Sequence, residues 1–218
     1  MLFGLDPATL IARMIVLIFA FTLHEFAHAW TATQFGDDTP RLNGRLTLNP
    51  IAHLDPMGSL LLLVAGFGWA KPVPINPYAL GRRSSAAVMW VSLAGPFMNL
   101  LLAILAAIPF RLGWASVAEG FSSSATFFPS FSKIMVEFIA INLVLMLFNL
   151  IPLAPLDGEK ILDYFLPPSA ANFLANIRPY GPMILIVIAI VLPMVFKIDL
   201  ISMIIMPPLQ AMFQLLVG

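Results

Sequence analysis

The chain has 218 residues, 60% of them hydrophobic and only 10% charged, with a mean hydropathy of +0.95. A composition this apolar excludes a soluble globule of this size and leaves an integral membrane protein. Eleven basic and eleven acidic residues cancel, which gives nucleic acid no reason to bind, and the lack of cysteine removes disulfides, thiolate metal sites and cysteine nucleophiles together.

The first element is a long helix. Asp6 supplies a capping carboxylate, Pro7 suits the first helical position, the apolar run from Leu10 to Ala32 is long enough to cross a bilayer, and Gly36 supplies the stop. This run is longer than a signal-peptide core, and it is expected to stay in the mature protein because it carries His24-Glu25-Phe26-Ala27-His28. Residues four apart share a helix face, so His24 and His28 can offer two imidazoles to one tetrahedral zinc, with Glu25 beside it as a proton acceptor for water. Five positions with three fixed make a short pattern, and polar residues bridging helices are the plain alternative. Inside hydrocarbon, however, such side chains are costly and persist mainly where they serve a function.

Residues 37–57 change character. Asp37, Asp38 and Pro40 break the helix, and the alternation from Arg41 to Leu48 predicts an extended strand. Asn49-Pro50, Asp55-Pro56 and Gly58 predict a compact turn region. Ser59 to Trp69 is apolar but too short to span, so it is expected to dip into the membrane and return. Lys71 to Pro77 holds three prolines, which impose extended geometry.

Ser84 to Phe110 predicts a spanning helix interrupted at Ala94-Gly95-Pro96, with Asn99 about a turn later and small residues that would allow close helix approach. A serine-rich connection from Arg111 leads to a second spanning helix, Phe131 to Ile151, on which Asn142 and Asn149 are seven apart and share a face. It ends in Pro152-Leu-Ala-Pro155-Leu-Asp157-Gly158, which cannot continue as regular helix. After a short amphipathic piece, Ala170 to Ile177 is read as interfacial, Pro182 to Phe196 as a crossing, and Leu200 to Leu216, broken by Pro207-Pro208, as a weak crossing or a surface helix.

A hydrolytic zinc held by two histidines needs a third protein ligand and an open position. His53 and the acids are the candidates, and Asp157 is the strongest because the prolines before it and Gly158 after it let the backbone turn a carboxylate inward; a turn or helix-capping aspartate is its plain alternative. Only three histidines exist, too few for a His-rich di-iron site. If Asp157 joins His24 and His28, the first helix and the helix from Phe131 must finish on one side, with the helix from Ser84 returning between them. Arg41, Arg45, Lys71, Arg82, Arg83, Lys160 and Arg178 then fall on the zinc-proximal side, against Arg111, Lys133 and Lys197 opposite. By the positive-inside tendency the zinc-proximal face is cytoplasmic and the N-terminus outside.

These motifs, with Ala94-Gly-Pro-Phe-Met-Asn99, Asn149-Leu-Ile-Pro-Leu-Ala-Pro-Leu-Asp157-Gly158, Asn49-Pro-Ile-Ala-His-Leu-Asp-Pro56 and Gly68 to Pro77, resemble the site-2 protease family of intramembrane zinc metalloproteases, in its compact prokaryotic form without a PDZ or CBS domain. The resemblance implies an all-α, multi-pass fold: one membrane-embedded domain over residues 1–218, with a three-helix catalytic core at about 7–160, a small extended segment, a re-entrant piece and one or two further membrane helices at about 170–218. It implies one Zn2+ per chain on His24, His28 and Asp157, with Glu25 as general base and Asn149 as the oxyanion stabiliser. A cell-membrane location follows, with a membrane-protein substrate cut in or near a transmembrane segment. Asn99, Gly44, Leu46, Leu48, Val73 and Ile75 are expected to touch substrate backbone, the last five through strand pairing with an unwound segment, with a helix–helix contact as the plain alternative for Asn99. His53 is read first as a hydrogen-bonded structural residue. The rival classes are a transporter or channel with a structural zinc site, a zinc protease whose third ligand is a glutamate on a following helix, and an inactive scaffold. The absence of glutamate between Glu25 and Glu119 counts against the second.

Overall fold

The computed structural model describes residues 6–58, 68–122 and 127–218. Helix α1 spans Pro7–Gln34, capped by Asp6, whose carboxylate accepts the Thr9 N–H at 3.0 Å. Gly36, at φ +83°, ends the chain's run beyond it. At about 1.5 Å per residue its 28 residues extend roughly 42 Å, more than a hydrocarbon layer of about 30 Å needs, so the helix must tilt or emerge.

Next come two single turns, α2 (Thr39–Leu42) and α3 (Pro50–His53), then α4 (Pro77–Arg83) and the long α5 (Ala87–Arg111). A short α6 (Val117–Phe121) precedes α7 (Phe131–Asn149), which is followed by the amphipathic α8 (Asp157–Phe165). A run of helical turns then extends from Pro168 to Phe196: α9 (Pro168–Ile177), a 3-10 turn, α10 (Gly181–Ile186) and a wide π-helical stretch (Val187–Phe196). The last helix, α11, is Leu200–Val217. Among the described residues there is no strand, and five helical runs are long and apolar enough to cross a membrane: α1, α5, α7, Pro168–Phe196 and α11. The protein is therefore an all-α, multi-pass membrane protein.

Polar contacts fix the direction of the central three helices. Near their starts, Lys133 Nζ of α7 donates to Thr9 Oγ1 of α1 at 3.0 Å, and Arg13 of α1 donates to Glu137 of α7 at 3.0 Å. Early residues meet early residues, so α1 and α7 run parallel. In contrast, His24 lies against Asn99, and the later His28 against the earlier Val91, so α5 runs antiparallel to α1. Apolar packing fills the space between: Ala103, Ala106, Ala107 and Phe110 of α5 bury against Val136, Ile139, Leu143 and Met146 of α7. Small side chains on α1, including Ala12, Ala20 and Ala27, let its neighbours approach closely.

Two expectations need correction. The chain from Arg41 to Leu48 is not a strand. Asp37 accepts the Thr39 N–H at 3.0 Å and starts one helical turn, Gly44 takes φ +66°, and the Arg45 side chain turns inward, where its guanidinium donates to the carbonyls of Ala52, Lys71 and Pro72. Secondly, α5 continues through Gly95 and Pro96 without a break. A proline within a membrane helix removes one backbone hydrogen bond, which neighbouring helices can compensate. Ala170 to Ile177, read as interfacial, belongs to the helical run Pro168–Phe196, and Leu200–Val217, read as a weak crossing or a surface helix, is long and apolar enough to cross. Of the segment expected to be re-entrant, residues 59–67 lie outside the described residues.

Residues 70–76 form an extended strap without regular secondary structure. Ala70 makes an isolated antiparallel bridge with Leu54, Lys71 N–H donates to His53 O at 2.8 Å, and Asn76 N–H donates to Asp37 at 2.6 Å. With Arg45 gripping two of its carbonyls, the strap is held over the C-terminal end of α1. His53, fully buried, bonds through Nε2 to Thr47 O at 2.8 Å and supports this turn region.

Candidate metal centre

His24 and His28 sit one turn apart on α1, their rings edge to face with centroids 4.6 Å apart. Each ring is fixed from behind. His24 Nδ1 meets the Asn99 side-chain oxygen at 2.6 Å, and His28 Nδ1 meets the Val91 carbonyl at 2.7 Å. A carbonyl oxygen can only accept, so both Nδ1 atoms carry hydrogen and both Nε2 atoms present lone pairs.

Those two nitrogens lie 3.0 Å apart, and Asp157 Oδ2 stands 3.4 Å from the first and 3.2 Å from the second. Ligands held tetrahedrally at about 2.0–2.1 Å stand about 3.3 Å from one another, so this trio has the spacing of three corners around one zinc ion. All three residues are buried, and no other group of this kind occurs among the described residues. Gly95 of α5 completes the fit: a Cβ at that position would fall on His28 Nε2 and His24 Cε1. The donor set and this cradle fit a zinc ion.

Asp157 owes its place to the way α7 ends. Past Asn149 the chain turns through Pro152 and Pro155, and α8 begins at Asp157 itself. A Cβ on Gly158 would strike the Leu150 carbonyl, so only glycine lets α8 fold back against the end of α7. One residue on, the buried Glu159 accepts from Arg178 at 2.8 and 2.6 Å, which ties α8 to the C-terminal helical run.

The trio opens on a cavity of about 250 Å³. Glu25, Asn149, Val73, Ile75 and Lys160 also line it. Glu25 is 8% exposed, and its Oε2 accepts the Val73 N–H of the strap at 3.1 Å. Asn149 spends one N–H on the Leu145 carbonyl of its own helix at 2.9 Å, leaving the second of its two amide hydrogens. Gly44, Leu46 and Leu48 do not line this cavity; Gly44 borders a separate polar recess with Arg45, Asp55 and Lys71. Asn99 does not line it either. It is fully buried, and both ends of its amide are occupied, by His24 and by Asn142, so it supports a ring instead of facing substrate.

Sequence reasoning missed the support given by Gly95, the Arg178–Glu159 clamp, and Lys160 as the one Lys or Arg on the cavity wall among the described residues. The last had a legible signal: Lys160 stands three residues after Asp157, hence on the same helix face.

A protein of Bacillus subtilis named "Putative zinc metalloprotease YwhC" is 44% identical over 183 residues, which cover 84% of this chain and 82% of that protein. "Putative zinc metalloprotease Rip2" of Mycolicibacterium smegmatis is 34% identical over 77% of this chain, and its counterpart in Mycobacterium tuberculosis 32% identical over 76%. The matches span 62% and 61% of those two longer proteins. No family model and no solved structure matches the chain significantly.

Proposed function

This chain belongs to the site-2 protease family, and from that membership and the geometry above we propose that it is an intramembrane zinc endopeptidase, cutting membrane proteins in or near their transmembrane segments. One observation carries the proposal: two imidazoles, the Asp157 carboxylate and a second carboxylate, that of Glu25, converge on a cavity lined by membrane-crossing helices and the strap.

His24, His28 and Asp157 would hold one zinc ion, which when bound supplies Lewis acidity to activate water and polarise a peptide carbonyl. Glu25 does the proton work. Its carboxylate takes a proton from water as water adds to the scissile carbonyl, then delivers it to the leaving amine. The Val73 N–H on Oε2 orients that carboxylate on the cavity wall and leaves Oε1 free of that bond. Asn149, on the wall with its second N–H in hand, stabilises the negative charge that develops on the carbonyl oxygen.

A helical substrate hides its carbonyls, so it must be extended before cleavage. The strap supports pairing with an unwound segment, with Val73 and Ile75 as the contacts. It offers few hydrogen bonds. Pro72, Pro74 and Pro77 have no N–H, and those of Lys71, Val73 and Asn76 are taken, so from Lys71 to Pro77 only Ile75 keeps an N–H without a hydrogen-bond partner among the described residues. Carbonyls of Val73, Pro74 and Ile75 supply the rest.

The basic residues on the centre's side, Arg41, Lys71, Arg82 and Arg83 among them, favour a cell-membrane protein whose centre is nearer the cytoplasmic face and whose N-terminus is outside. The test is purified protein in detergent with zinc and a single-span model substrate, beside Glu25→Gln. Cleavage by the parent and loss of about 10²–10⁴-fold in the variant supports the reading; equal cleavage removes Glu25 from its role.

A further inference from the structure

Behind His24, away from the cavity, hydrogen bonds run across all three central helices. His24 Nδ1 on α1 meets Asn99 Oδ1 on α5 at 2.6 Å, Asn99 Nδ2 donates to Asn142 Oδ1 on α7 at 2.8 Å, and Asn142 Nδ2 donates to its own helix at Phe138 O, 2.9 Å away. Both asparagines are fully buried.

An asparagine amide can be turned end for end, so in isolation neither Asn99 nor Asn142 dictates what it presents. This chain of bonds is different, because it ends on a backbone carbonyl, and a backbone carbonyl can only accept. Asn142 must therefore aim its N–H2 at Phe138, which turns its oxygen to Asn99. Asn99 must then aim its N–H2 at Asn142, which turns its oxygen to His24. Nδ1 of His24 must in turn carry the hydrogen, and its Nε2 is left with the lone pair that faces His28 and Asp157. Reversing any link would set two donors or two acceptors against each other in a dry interface, where an unpaired polar group is costly.

We propose that Asn142, which touches neither the cavity nor a ligand, is a positioning residue that sets the tautomer of His24 and thereby the zinc affinity of the centre. The inference rests on the reading of His24 as a ligand. His28 provides an internal control, since its Nδ1 is set independently by the Val91 carbonyl. Without Asn142, Asn99 can turn over and offer N–H2 to His24 Nδ1, which places the hydrogen on Nε2 and blocks ligation. Outer partners of metal-binding histidines typically change metal affinity by about 10–100-fold when removed.

The experiment uses the full chain in detergent with ¹⁵N-labelled histidine. Imidazole ¹⁵N shifts are read without zinc, and zinc affinity is read by competition with a chelator. Asn142→Leu is expected to move His24 toward the Nε2–H form, leave His28 unchanged and weaken zinc binding by about 10–100-fold. Should that variant not fold, Asn142→Ser takes its place: the hydroxyl still bonds the carbonyl four residues back but falls short of Asn99. Asn142→Asp supplies the rescue, because a carboxyl in so apolar a site stays neutral, donates O–H to Phe138 and keeps an oxygen for Asn99. It is expected to restore the His24 shifts and bring zinc affinity back to within a few-fold of the parent.

Folded Leu or Ser variants with parental His24 shifts and parental zinc affinity would overturn the proposal and leave Asn142 a plain helix–helix contact. Changed shifts with unchanged zinc affinity would overturn its link to the metal. A parent that binds no zinc but whose His24 tautomer still follows Asn142 would refute the metal reading and not the hydrogen-bond chain.

Discussion

Glu25 is a carboxylate on the cavity wall, held by a backbone N–H from Val73, and among the described residues no cation pairs with it. Its second oxygen is left without a hydrogen-bond partner among those residues, which suits a group that must take and return a proton. Asn149 is weaker evidence of its role, since part of its amide is spent on Leu145. Asn149→Ala is expected to lower turnover by about 10²–10³-fold while zinc content stays at the parental level, read by single-turnover cleavage beside metal analysis. Gly95 gives a sharper residue-scale prediction. An added methyl would occupy the space of both imidazoles, so Gly95→Ala should lose zinc and activity together, with helix content by circular dichroism unchanged. Parental zinc content in that variant would show that the cradle is roomier than it looks. The histidines, Glu25 and Asp157 were legible in the sequence because their chemistry is scarce: three histidines in the chain, and few acids near them. For Asn99 the sequence left a substrate contact and a helix–helix contact open, because spacing reveals a helix face but not what stands opposite it; the structure sets His24 and Asn142 there.

At the scale of elements, α8 is the piece that brings Asp157 home. It is short, and what holds it is the Gly158 contact with Leu150 and the Arg178–Glu159 pair. Arg178 is about half exposed, so losing it costs less than losing a fully buried partner, but it leaves the Glu159 carboxylate buried and under-bonded. Arg178→Met is expected to destabilise the protein by about 1–3 kcal/mol, seen as a lower thermal midpoint, and to weaken zinc binding because Asp157 is less well placed; Arg178→Met with Glu159→Met should recover the midpoint. No change in either would leave the pair without a structural task. The long helices were legible because apolar runs of about 20 residues admit few other structures. The Arg41 to Leu48 strand was not, since a two-residue alternation assumes the polar side chains face water. Arg45 instead turns inward to satisfy three carbonyls, and Asp37 starts a helical turn just before.

For the whole molecule, the three central helices form a unit whose two ends do different work. At the end where α1 and α7 begin, Lys133, Thr9, Arg13 and Glu137 lock the two together. His24, His28 and Asp157 gather at the other end. The parallel course of α1 and α7, with α5 returning between them, was legible from one inference, the pairing of Asp157 with two distant histidines. The C-terminal helices were less so: they are hydrophobic on most faces, only 11% and 6% of their spanning windows are buried within the chain, and so periodicity carries little signal.

The account turns on zinc being held by residues from two ends of the sequence, and the zinc content of purified protein measures this directly. The parent should carry one zinc per chain, lost on dialysis against a chelator together with proteolysis and regained with it on adding zinc. Folded His28→Ala and Asp157→Ala proteins should each retain little or none. Full zinc occupancy in a folded Asp157→Ala protein would contradict the account.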